Sequence, residues 1–214
     1  MLVFDFLFLS ILLVFYLIFK RDKKLTLIVA IGAMCGVLLA SYKALFLFSR
    51  RIVPYSFISN FAYFNLRQSF VPCVVLFVLF ALIFKDTLKS KIEYFLPLEL
   101  SFYVVYLPYC IVSTSEGLYS KYSLFLKPVV YAAMLFQCAI SLRIAFEKIE
   151  EKKTVPAVIH SVIIFVYLLL PAFIECLFYL NDKFFLPLIM TLAVSALPVF
   201  FMIVSKLKNN QKMS

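Results

Sequence analysis

Residues 155–180 read VPAVIHSVIIFVYLLLPAFIECLFYL, and Glu175 is their only acidic or basic residue apart from the single histidine, His160. A helix rises about 1.5 Å per residue, so roughly 20 apolar residues cross a hydrocarbon core of about 30 Å. This stretch is long enough. Further runs of the same character cover 2–19, 25–48, 70–84, 94–113, 124–146 and 184–205. The run 70–84 is short unless 66–69 are added, which places Arg67 near the interface, where a long side chain can reach water. The fold class read from this pattern is all-α: a polytopic membrane helix bundle with seven transmembrane helices. It forms one transmembrane domain over 1–205, followed by a tail at 206–214.

Composition points the same way. Hydrophobic residues make up 65% of the chain and charged ones 15%, against about 45–50% and about 25% in soluble domains. The formal charge is +10. The bases sit in short clusters at the ends of apolar runs, which fits topology and anionic lipid headgroups rather than nucleic acid. Asp5 lies at the outer edge of the first apolar run, and no Lys or Arg precedes that run. A secretory signal needs a basic start, so a retained first helix is expected.

Orientation follows from where the bases fall. Fourteen lie in the connections on one side of the seven-helix arrangement and seven on the other, the dissenting cluster being Arg50–Arg51. The richer side is read as cytoplasmic: N-terminus out, C-terminus in. A prokaryotic plasma membrane is the expected location, from the short loops and the lack of an N-x-S/T sequon. Segment 49–69 is expected to lie in the outer interface, with a short helix in which Phe57, Phe61 and Phe64 recur at helical spacing. With no Trp in the chain, Tyr is expected to form the aromatic belt.

Three pairs of segments resemble one another: 33–46 and 133–146, 71–82 and 155–166, 95–108 and 185–198. The last pair reads FLPLELSFYVVYLP and FLPLIMTLAVSALP. An offset of three helices reverses direction in the membrane, so the pattern predicts a 1+3+3 inverted repeat, a plan used by transporters.

Ionisable groups inside spans are costly and mark polar paths. They are Lys43, Glu99, Arg143, His160 and Glu175. Depth along the runs predicts two ion pairs, Lys43 with Glu175 near the outer end and Arg143 with Glu99 near the inner end, with His160 close to the latter. These form the candidate polar path or gate. Pro108, Pro171 and Pro198 are the most internal prolines and predict helix kinks. Gly32 and Gly36 form one GxxxG, a signature of close helix contact.

No HExxH, Walker A, GxSxG, dinucleotide fingerprint or TVGYG filter occurs, so no catalytic, cofactor-binding or metal-ligating residue is assigned. The five cysteines all lie in apolar runs without CxxC spacing and are read as apolar filler. The leading expectation is a small-solute transporter or the membrane subunit of one, with the bilayer, a small polar solute and other membrane subunits as partners. The alternatives are an assembly or accessory subunit, and an intramembrane enzyme acting on lipid through His160 with Glu99 or a cysteine.

Overall fold

The computed structural model describes residues 2–20, 23–46, 56–113, 125–181 and 185–211. Arg50–Arg51, Lys121, Lys183 and Lys212 lie outside the described residues, as does the side chain of Asp5. The described chain is all-helical: α1 (Leu2–Phe19), α2 (Lys23–Phe46), α3 (Phe57–Arg67), α4 (Phe70–Ile83), α5 (Leu88–Ser113), α6 (Lys127–Glu150), α7 (Thr154–Asn181) and α8 (Phe185–Gln211). Four stretches are long and apolar enough to span a membrane: Lys24–Leu45, Phe57–Ile83, Lys127–Glu150 and Thr154–Phe178.

Several helices run past the apolar stretches that announced them. α5 begins at Leu88 rather than 94, and α6 continues to Glu150 rather than 146. Charged residues stop a hydropathy run but not a helix, since Lys, Glu and Arg are good helix formers. Arg143 and Glu147 extend α6 with a 3.0 Å pair at i,i+4 spacing. The α6–α7 turn is closed by Lys152 N–H donating to the Ile149 carbonyl and Lys153 N–H to the Lys148 carbonyl, with Lys152 in the left-handed region at φ 57°. In that turn, hydrogen bonds from Lys148 and Lys153 hold the Glu151 carboxyl below the usual carboxylate range.

α5 is the hub. Its residues from Tyr94 to Val104 are all buried, and it packs against α1, α2, α4 and α6. The closest of these contacts is with α2, and glycine is the reason. A Cβ at Gly32 would collide with Ser101 Oγ and the Leu98 carbonyl oxygen, and one at Gly36 would lie 2.8 Å from the Phe102 carbonyl oxygen. The GxxxG therefore sets the α2–α5 approach. On the other side α6 lies along α7, where the Cys138 thiol reaches the Ile164 carbonyl at 3.8 Å.

One end of the bundle collects charges. Lys20 at the end of α1 pairs with Glu93 at 3.0 Å, and Lys24 at the start of α2 pairs with Asp86 between α4 and α5 at 3.4 Å. Lys91 donates to the Ala81 carbonyl. Helix ends and helix starts thus meet there in alternation, as in an up-and-down bundle.

The internal prolines do not break their helices. α5 runs through Pro97 and Pro108, α7 through Pro171, and α8 through Pro198. Pro198 cannot donate to the carbonyl four residues earlier, Val194. That carbonyl instead accepts a 3.2 Å bond from the Tyr167 hydroxyl of α7. A neighbouring helix satisfies the group that proline released.

Candidate functional site

The candidate site is a helix interruption. α3 ends at Arg67, the Gln68 and Ser69 N–H groups both turn back to the Phe64 carbonyl at 2.8 and 3.2 Å, and α4 starts at Phe70. The local sequence favours the break. Pro72 falls in the first turn of α4, where an absent N–H costs nothing and the preceding chain cannot continue as α-helix without a clash. α3 itself is the short helix expected at Phe57, Phe61 and Phe64. It starts at Ser56, whose Oγ accepts from the Ser59 N–H at 3.4 Å. Phe64 is buried with Ala172 and Cys176 of α7, and Phe57 meets Phe173 edge-on at 5.6 Å.

The carbonyls released at the break are taken up by side chains from neighbouring helices. The Arg67 carbonyl accepts from Lys43 Nζ of α2 and from the Tyr106 hydroxyl of α5. The Tyr103 hydroxyl of α5 lies 3.1 Å from the Gln68 carbonyl, which finds no N–H at Pro72, and 3.0 Å from the Ser69 carbonyl, which also accepts the Cys73 N–H of α4 at 3.3 Å. Gln68 Oε1 accepts from Lys127 Nζ of α6. Lys127 also donates to Glu175 Oε1 of α7 at 2.8 Å, and the two side chains are 0% and 1% exposed. Ser69 Oγ donates to Asn65 Oδ1 at 3.2 Å. Side chains from α2, α5, α6 and α7 and the break between α3 and α4 therefore converge on one buried polar cluster. An unsatisfied backbone group away from water is expensive, and this cluster removes that cost.

The ion pairs differ from those predicted. Glu175 pairs with Lys127, not with Lys43. α2 and α7 are not packed on each other; α5 and α6 lie between them. Equal depth along two helices says nothing about whether they are neighbours. Lys127 stands near the start of the apolar run 124–146, where a lysine reads as part of the connection, yet α6 starts there with the side chain fully buried. Arg143 does not meet Glu99 either. It is 72% exposed and pairs with Glu147 on its own helix.

Glu99 is fully buried on α5, and among the described residues neither carboxylate oxygen has a hydrogen-bond partner. His160 lies on α7 within electrostatic reach of Lys148, its Nδ1 buried and without a hydrogen bond. The structure does not bring Glu99 and His160 together as a relay. Pro171 is buried in α7 one turn before Glu175, while Pro108 and Pro198 lie away from the break in sequence. Of the predicted site residues, Lys43 and Glu175 join one cluster through Tyr106, the break and Lys127. Arg143, His160 and Glu99 stand outside it.

Gln68, Tyr103, Tyr106 and Lys127 were not foreseen. Tyr103 and Tyr106 stand mid-run at i,i+3, one face of a helix, away from the interface positions a tyrosine belt occupies. That placement was the available signal. Gln68–Ser69, two polar residues followed by a proline-bearing apolar run, was the signal for the break.

Among the described residues, no group of three or more His, Cys, Asp or Glu is placed to hold a metal ion. Compared with protein-family models, curated proteins and solved structures, the chain matches none.

Proposed function

We propose that the chain is a multi-pass membrane carrier for a small polar solute, with the α3–α4 break as its binding site. One observation carries this reading: a helix interrupted in the protein interior, with its carbonyls and an ion pair drawn into one polar cluster. Secondary transporters bind solutes and coupling ions at interrupted helices. Non-helical backbone at membrane depth is tolerated only where protein or a water-lined cavity satisfies it. Glu175 Oε2 is buried without a partner, and an ammonium has three donors, of which the Lys127 bonds to Gln68 and Glu175 use two. A solute with a donor or cation at one end and an acceptor at the other complements these two groups.

The reading includes seven crossings, the third formed by α4 with Arg67 near the outer interface and α3 lying in that interface, with the N-terminus outside and the C-terminus inside a prokaryotic plasma membrane. The 1+3+3 inverted repeat belongs to it as well, and would place the break in the first triplet and Glu175 in the second.

Full-length protein in liposomes tests the proposal by uptake of, and thermal stabilisation by, panels of small amino, carboxylic and zwitterionic solutes. A solute that is both taken up and stabilising, with both effects weakened by Gln68→Ala, is the expected result. A panel that produces neither effect removes the carrier reading.

One observation favours a second reading, a structural subunit of a larger membrane assembly. The carbonyls at the break are already occupied by Lys43, Tyr103 and Tyr106, as a purely shape-holding lock would have them. In that case the chain co-purifies with a membrane partner and Gln68→Ala leaves all transport unchanged.

A further inference from the structure

α2 and α4 both pack on α5, yet they leave a gap between themselves. The gap is a laterally open groove of about 410 Å³, with Leu39 and Tyr42 of α2 on one wall, Val75 and Leu79 of α4 on the other, and Phe102 of α5 as its floor. Leu66 of α3 closes one end. The groove follows α4 from Val71 to Leu79, a length of roughly 12 Å at 1.5 Å per residue. Its walls are largely apolar.

The Tyr42–Leu66 end is where charge appears. Lys43 and Arg67 are the next residues along α2 and α3, and Lys43 Nζ donates to the Arg67 carbonyl. Arg67 is oriented by a 2.6 Å bond to the Tyr63 hydroxyl and lies over that ring. Among the described residues, no carboxylate lies within ion-pair distance of either cation. A guanidinium has five N–H donors, and the Tyr63 bond uses one.

We propose that this groove is a specific site for one acyl chain of an anionic phospholipid, whose phosphate sits at the Lys43–Arg67 end. The complementarity is twofold: a laterally open, largely apolar groove about 12 Å long, and, among the described residues, two cations without a carboxylate at one end of it. The acyl chain alone gives no preference, because bulk lipid tails are as apolar as the groove. Selectivity comes from the headgroup, through charge-assisted hydrogen bonds to Arg67. The bound lipid would bridge α2 and α4 beside the helix break. The proposal does not depend on the carrier reading.

The test uses delipidated full-length protein in detergent, titrated with phosphatidylglycerol, with phosphatidylcholine of identical chains, and with glycerol phosphate. Binding is read by native mass spectrometry and thermal unfolding. The expected result is a one-to-one complex with phosphatidylglycerol, on the order of tenfold weaker for phosphatidylcholine, and no shift with glycerol phosphate. Arg67→Gln removes the headgroup preference. Val75→Trp, at a position already half open to the surroundings, fills the groove and abolishes the complex. Lys89→Gln, the same charge change at the opposite end, leaves binding intact. Equal binding of both lipids overturns the proposal, as does binding that Arg67→Gln and Val75→Trp leave unchanged. So does a shift with glycerol phosphate alone, which marks a free-phosphate site. A dimer that Val75→Trp splits also overturns it, because the groove would then hold a second copy of the chain.

Discussion

Lys127 Nζ and Glu175 Oε1 lie 2.8 Å apart with both side chains closed off from the surroundings, and the same ammonium reaches the side chain of Gln68 at the α3–α4 break. The pair ties the α6–α7 interface to the interrupted helix. Removing one partner of a buried pair leaves the other charge uncompensated, at a cost of about 3–5 kcal/mol, whereas replacing both by apolar residues is often close to neutral. Lys127→Met and Glu175→Leu singly are therefore expected to lower stability by that amount in detergent unfolding. The double variant is expected to recover most of it. A double variant as unstable as the sum of the singles would show that the two residues act independently.

The α2–α5 contact depends on two glycines to different degrees. A methyl at Gly32 meets main chain and a buried serine, while one at Gly36 meets a carbonyl at 2.8 Å and the Val105 side chain at 3.1 Å. Gly32→Ala is expected to destabilise by about 1–3 kcal/mol, the range for overpacking a close contact, and Gly36→Ala by less. Thermal unfolding of the two variants side by side checks the order. Gly36→Ala as the costlier change would contradict the geometry.

Tyr167 and Pro198 form a thermodynamic couple through the Val194 carbonyl. Tyr167→Phe removes the hydroxyl that donates to that carbonyl and is expected to cost about 1 kcal/mol. Pro198→Ala restores a main-chain N–H at the position that serves the Val194 carbonyl. In that background the cost of Tyr167→Phe should fall well below its value in the parent chain. A double-mutant cycle measures the difference, and strict additivity would rule the coupling out.

Lys152 occupies the left-handed region, at φ 57°, in the turn that joins α6 to α7. An L-residue there carries a strain of roughly 1–2 kcal/mol that glycine does not. Lys152→Gly is expected to raise stability by about 1 kcal/mol, read as an increased unfolding midpoint. A decrease would mean that the lysine side chain contributes more than its backbone strain costs.

The charged end of the bundle also makes a prediction. Lys24 and Lys89 are exposed at the end of the bundle joined by Lys24–Asp86 and Lys20–Glu93, and Glu150 is exposed at the end of α6, which an up-and-down order puts on the same side. Single cysteines at these three positions, in a chain with its native cysteines replaced, should react with an impermeant maleimide from one and the same side of sealed vesicles. Labelling of Lys24→Cys and Glu150→Cys from opposite sides would break the up-and-down arrangement.

Much of the helical layout was legible in the apolar runs. The stretch 155–180 reappears as α7, Thr154–Asn181, and 2–19 as α1. Helix formation within an apolar stretch is a local matter of length and composition. Even Gly32 and Gly36 announced a close helix contact, because a residue without a side chain on an apolar face has few other reasons to recur at i,i+4. The site was legible only in fragments. Lys43 and Glu175 stood out as expensive charges, and both belong to the polar cluster, but their partners were misassigned.

The sequence by itself determined that this chain is a set of long apolar helices, that its charges concentrate at helix ends, and that Lys43, Glu99 and Glu175 sit where a charge needs a reason. Only the tertiary structure decided which reasons apply. Lys127 turned inward to Glu175, Tyr103 and Tyr106 were recruited to the carbonyls of Arg67, Gln68 and Ser69, and Tyr167 capped the carbonyl that Pro198 released. The physical cause is the same in each case. Hydropathy and periodicity are properties of one helix, but the satisfaction of a buried polar group depends on which other helix is next to it. That neighbour relation was set here by the glycine-lined approach of α2 to α5 and by α6 lying along α7.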